Sequence, residues 1–149
     1  MPNRSKNGKI KGSLARSLKF MNYKGVIIEE SLENKEILNG LVILSTKVEP
    51  VTEKHKTPYL KQWTLHTVEV FEDRVDDVAE KISRVLDLKH NDWYADFKND
   101  KFHYVIFRDR VFKVDLRNPK YKEVMEYGIS LGIPWYQLDF SPEIKQWKR

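Results

Sequence analysis

The sequence predicts an α+β fold: a βαββαβ antiparallel sheet extended by a β-hairpin and a C-terminal helix. Three observations carry this. Residues 101–115, KFHYVIFRDRVFKVD, hold two alternating runs of large residues, Phe102 to Phe107 and Val111 to Val114, around the polar turn Asp109 and Arg110. That is the pattern of a tight antiparallel hairpin. Between Arg74 and Asp87 the apolar residues Val75, Val78, Ala79, Ile82, Val85 and Leu86 fall on one helical stripe, with Asp76, Asp77, Glu80, Lys81 and Arg84 outside it. Gln62 to Phe71, QWTLHTVEVF, is dense in β-branched and aromatic residues and reads as a strand. In the hairpin's first strand Phe102, Tyr104, Ile106 and Arg108 would share one face and His103, Val105 and Phe107 the other. Neither face is left polar, so this strand is expected to be covered on both sides.

Taken in order, Tyr23 to Glu29 is a first strand, and Ser31 offers an N-cap to a short helix through Leu38, closed by Asn39 and Gly40. Leu41 to Val48 is a second strand. Glu49 to Lys61 contains two prolines and no apolar period, an unusually long connection of the kind that often carries function. After the third strand, Asp73 can cap the helix over 74–87. Trp93 to Phe97 is a fourth strand, joined by Lys98, Asn99 and Asp100 to the hairpin. Asn118 and Pro119 start a last helix with a buried stripe of Tyr121, Val124, Met125 and Tyr127 or Gly128, ending near Gly132 and Pro134. The C-terminal WYQLDFSPEIKQW is too apolar to float free and is expected to lie across the sheet or to join a partner. The first six elements are those of a ferredoxin-like split βαβ unit.

At 149 residues the chain is long enough for one self-sufficient core. There is no cysteine, which excludes disulfide frameworks, thiol chemistry and cysteine-ligated metals and suits a cytoplasmic setting. No apolar run approaches the roughly 20 residues of a membrane span, so no membrane association is expected. The net charge of +5 invites a nucleic-acid reading, but it is unevenly placed. Residues 1–24 hold seven of the 27 cations and none of the 22 acids, leaving 20 cations against 22 acids, a balance of −2, in residues 25–149. Residues 1–20 read as a flexible basic tail and 21–149 as a single domain. The tail lacks the apolar core and cleavage site of a secretory signal. Its Arg4, Lys6, Lys9, Lys11, Arg16 and Lys19 are the candidate nucleic-acid contacts.

The four histidines form no HxH, HxxxH or HExxH set, so no metal is expected, and no glycine-rich phosphate loop or GxSxG elbow is present, so no cofactor is expected either. If His66, Asp96 and His103 met across neighbouring strands they would form a general acid/base pair with an orienting carboxylate. Lys54, His55, Lys56 and Tyr59 gather on the long connection, where they could clamp the phosphate or carboxylate of a small anionic ligand. The spacing of Phe102, Tyr104, Val105 and Phe107 resembles, over about six residues, the aromatic motif with which the RNA recognition motif family stacks bases. Here Asp100 and Lys101 replace that motif's leading basic residue and glycine, and the run follows the second helix instead of lying between the helices, so the rings are read as core. The sequence therefore points to a small binding or regulatory domain. It would self-associate, as a homodimer, through a sheet face or the tryptophan-rich C-terminus, or bind a small ligand or a protein. The alternatives are a small acid/base enzyme with its site near the 49–61 loop and the strand histidines, and nucleic-acid binding through the basic tail.

Overall fold

The computed structural model describes residues 21–148. Six alternating segments form β1 (Tyr23–Ile28), β2 (Val42–Pro50), β3 (Gln62–Val70), β4 (Tyr94–Lys98), β5 (Phe102–Phe107) and β6 (Arg110–Asp115). They make one sheet in the order β2-β3-β1-β4-β5-β6, with every neighbour antiparallel. Two α-helices, α1 (Val75–Val85) and α2 (Lys122–Ser130), complete the regular structure with short 3-10 turns.

Strand alternation sorts the core into two layers, one on each face. On one face Tyr23, Ile27, Val68, Val70, Ala95, Phe97, Tyr104 and Ile106 meet the stripe of α1, made by Val75, Val78, Ala79 and Ile82, and Leu86 just beyond it. Polar ties fix the helix to the hairpin: the Tyr104 hydroxyl donates to Asp76 at 2.6 Å and Ser83 Oγ donates to the Phe107 carbonyl at 2.7 Å. On the other face Val105, Phe107, Phe112 and Val114 pack against Val124 of α2 and against Ile133, Leu138 and Phe140 of the chain that follows it. β5 is thus covered on both sides, as its composition requires, and Phe107, fully buried, contributes about 1.5–3 kcal/mol by leaving water.

The mixed α+β class and the antiparallel sheet agree with the sequence reading, whereas the finer ferredoxin-like arrangement is not established. The sheet has the six strands expected, but where a first helix is predicted over 31–38 the chain makes two 3-10 turns, Glu29–Ser31 and Lys35–Gly40. The reason is tertiary. The Ser31 hydroxyl donates back to the Ile28 carbonyl at 2.6 Å, while the Glu33 amide and the Ser31 carbonyl bond the end of α1 through Val85 and Asp87, at 2.6 and 2.8 Å. Those bonds hold the stretch against the end of α1, and Asn34 caps only a short turn by accepting from the Glu36 amide. Smaller differences follow the same logic. The hairpin turn is Arg108 and Asp109, with Asp109 at φ 57°, and Asp73 makes no side-chain cap for α1. Strand β2 is a sheet edge, and Val42, Ile43, Leu44 and Val48 on it are exposed.

Candidate functional site

α2 and the segment after it pack over the β5 and β6 side of their face. Register places Val26 of β1 opposite Thr67 of β3 and opposite Asp96 of β4, and Ile28 opposite Leu65, which in turn pairs with Lys47 of β2. These residues form the floor of an open groove of about 530 Å³. Its aromatic lining is Trp63, Trp93, Tyr94 and Phe140, and its C-terminal wall consists of Gln137, Asp139, Phe140 and Gln146.

The wall is held by side chains. The Tyr94 hydroxyl bonds the Gln137 carbonyl and lies 3.1 Å from Asp139 Oδ1, while Asp139 Oδ2 accepts from the Trp147 amide at 2.9 Å. Gln137 Nε2 donates to the Lys54 and His55 carbonyls at 2.9 and 3.0 Å, and the Tyr136 hydroxyl donates to the Lys54 carbonyl at 2.6 Å. The C-terminal segment therefore crosses the sheet face and is stitched to the long connection.

Of the residues singled out for acid/base chemistry, two meet. His103 Nε2 lies 2.7 Å from Asp96 Oδ2, and its Nδ1 lies 2.7 Å from the Tyr121 hydroxyl. Burial, and then the Asp96 charge, push the Tyr121 hydroxyl above its ordinary pKa, so it stays a neutral donor. With Tyr121 donating to Nδ1 and the imidazole donating from Nε2 to the carboxylate, both ring nitrogens are satisfied. His103 itself is 1% exposed, while the Asp96 side chain is 26% exposed in the groove. His66 does not join them. It pairs with Ile27, on the opposite face from Val26 and Asp96, and its ring bonds Glu29 and Thr46, each at 2.8 Å. That hydrogen bond, before the lysine at Lys35, holds the Glu29 carboxyl below its usual range.

The four residues proposed as an anion clamp are dispersed. His55 is buried, with Nε2 3.1 Å from Glu49 and Nδ1 2.9 Å from the Thr52 amide, and it packs edge-on against Trp63 at 4.4 Å. It closes a capping box over the turn Glu53–His55 and anchors the connection. Lys54 and Lys56 point to solvent, Lys56 at φ 61°, and Tyr59 stacks on His90 at 3.8 Å. Burial, with the charges of Asp92 and Asp87, pushes the Tyr59 hydroxyl up to about 12. The tail residues Arg4, Lys6, Lys9, Lys11, Arg16 and Lys19 lie outside the described residues.

Sequence reasoning missed Thr67, Tyr94, Tyr121 and Asp139. Thr67 flanks His66 and so must face the other way, toward Asp96, but only the β1 register reveals it. Asp92, at the groove's edge, is held above its usual range chiefly by burial, and its Oδ1 is buried without a hydrogen-bond partner. Among the described residues no three His, Asp or Glu side chains gather as a metal-binding set, and no helix is long and apolar enough to cross a membrane. Comparison with known protein families, curated proteins and solved structures finds no match.

Proposed function

We propose that the protein is a small-ligand-binding domain whose site is the groove on the β3, β1 and β4 face, with Asp96 as its polar anchor. The observation that carries this reading is the array from Tyr121 through His103 to Asp96, which orients a carboxylate into a concavity lined by aromatic and aliphatic side chains. Polar groups converging beside aromatic and aliphatic side chains in a preformed cleft, here Asp96, Thr67 and Gln137 beside Val26, Leu65 and Phe140, are the make-up of a ligand site. The same array favours binding over acid/base catalysis. His103 is 1% exposed and both its ring nitrogens are engaged, by Tyr121 and by Asp96, so it offers no free nitrogen to a molecule in the groove. The test is a fragment screen of small ring compounds followed by amide NMR. Binding should shift Val26, Thr67, Asp96 and Gln137 together, and Thr67→Trp, which fills the floor, should abolish those shifts. Shifts scattered elsewhere on the surface, or shifts indifferent to Thr67→Trp, would remove the groove as the site.

Self-association draws support from β2, an edge strand with four exposed apolar residues and one lysine, an edge that a two-fold copy could extend in antiparallel register. Light scattering across a concentration range decides it. A particle that stays a monomer throughout rules the homodimer out.

A further inference from the structure

We propose that the groove's ligand is an organic cation with a flat, apolar body, for which Asp96 is the counter-ion. The inference rests on the groove being the ligand site and goes on to the charge of what it takes. Five ionisable side chains other than His103 and Tyr94 line the groove: Asp92, Asp96, Asp139, Lys47 and Lys98. Asp139 is occupied, since Tyr94 and the Trp147 amide take one oxygen each. Lys47 lies 3.7 Å from Glu49 Oε2. Asp92 has one oxygen, Oδ1, buried, so at most its other oxygen faces the groove. Lys98 is exposed at the mouth, where water screens it.

Asp96 is different. Its Oδ2 is fixed by His103, no other hydrogen bond reaches the carboxylate among the described residues, and the side chain is three-quarters withdrawn from water. A carboxylate in that position has lost solvation that a single hydrogen bond only partly returns, and an N–H donor carrying positive charge returns the rest. Beside it Val26, Ile28 and Leu65 make an apolar floor and Phe140 a wall, a slot for a planar ring. A neutral donor would leave the charge uncompensated, and an anion would meet Asp96 head-on.

Charge-matched pairs test the assignment: tryptamine against indole-3-propionate and benzamidine against benzoate, titrated into the full chain and followed by amide NMR. The cationic member of each pair should bind about tenfold or more tightly, with shifts at Val26, Thr67 and Asp96. In Asp96→Asn, which still accepts from His103 and so keeps the fold, the preference should fall toward unity. Equal or tighter binding of the anions at those same amides overturns the cation assignment and leaves the groove reading in place. A cation preference unchanged in Asp96→Asn overturns the role of Asp96. If none of the four compounds shifts groove amides, the groove reading falls, and this inference with it.

Discussion

At the scale of single residues, the polar side chains of this face divide into those whose hydrogen bonds are complete and those left short. Tyr121, His103 and Asp139 are complete, while Asp96 and Asp92 are not. Asp92 carries a stability prediction. Because burial raises its folded pKa above the unfolded value, the folded state binds the proton more tightly, and the ionised carboxylate destabilises the fold above that pKa. The penalty is present above the raised pKa and disappears as pH falls through it toward the ordinary value. Asp92→Asn keeps the shape and removes the charge, so it should melt at a higher temperature than the wild type at pH 7. The gap should close as the pH approaches about 3, below the ordinary range of the group. Thermal melts of both proteins across that range check this, and a variant no more stable at neutral pH would mean that the carboxylate is better solvated than its surroundings indicate. Part of this scale was legible in the sequence. Asp96 and His103 were singled out together and do meet. His66 was grouped with them in error, because one residue of register decides which face a strand side chain occupies, and composition does not encode that parity.

At the scale of elements, legibility followed how strongly a local pattern competes with tertiary contacts. α1 has a complete apolar stripe and forms nearly where its period places it, whereas the Ser31–Leu38 segment has helical composition but surrenders its backbone groups to the end of α1. The long connection has no apolar period from which a fold could be read. Its turn is nonetheless ordered by the His55 and Thr52 capping box and by the Trp63 indole donating to Thr57 at 2.9 Å, both of which depend on side chains meeting across the fold. The pairing of β1 with β4 rests on a single glycine. A Cβ built on Gly25 would lie 1.6 Å from the Asp96 carbonyl oxygen and 2.7 Å from the Phe97 ring, so any larger residue pushes β4 away and carries Asp96 with it. Gly25→Ala should therefore cost about 3 kcal/mol or more, at the upper end of what overpacking does, and should weaken ligand binding in the groove. Gly40, where a Cβ meets nothing within 4 Å, is the control: Gly40→Ala should leave stability unchanged or raise it by up to about 1 kcal/mol. Denaturant unfolding of the two variants decides the matter, and equal stabilities would show that β4 can shift without loss.

At the scale of the whole molecule, the groove is made by two regions far apart in sequence, the strands that give its floor and the C-terminal segment that gives its wall. What joins them is the aromatic cluster at one end, where Trp147 packs edge-on against His55 at 5.0 Å, Trp63 at 6.0 Å and Tyr136 at 5.4 Å. The wall and the 51–61 connection share this anchor, because Tyr136 and Gln137 bond the Lys54 and His55 carbonyls. Losing Trp147 would bare one side of His55 and free the Asp139 oxygen that now accepts from the Trp147 amide. The connection would then open locally more often, while α1, packed on the opposite face, would not sense the change. Ending the chain at Lys145 should thus speed hydrogen exchange about tenfold or more at the bonded amides of Val51, His55 and Leu60, and leave those of Ala79 to Ile82 as they were. The contrast between the two faces is the decisive reading. Uniform acceleration would mean that the C-terminus stabilises the whole fold instead of clamping one end of the groove, and unchanged exchange at Val51, His55 and Leu60 would mean that the connection is ordered by its own capping box alone.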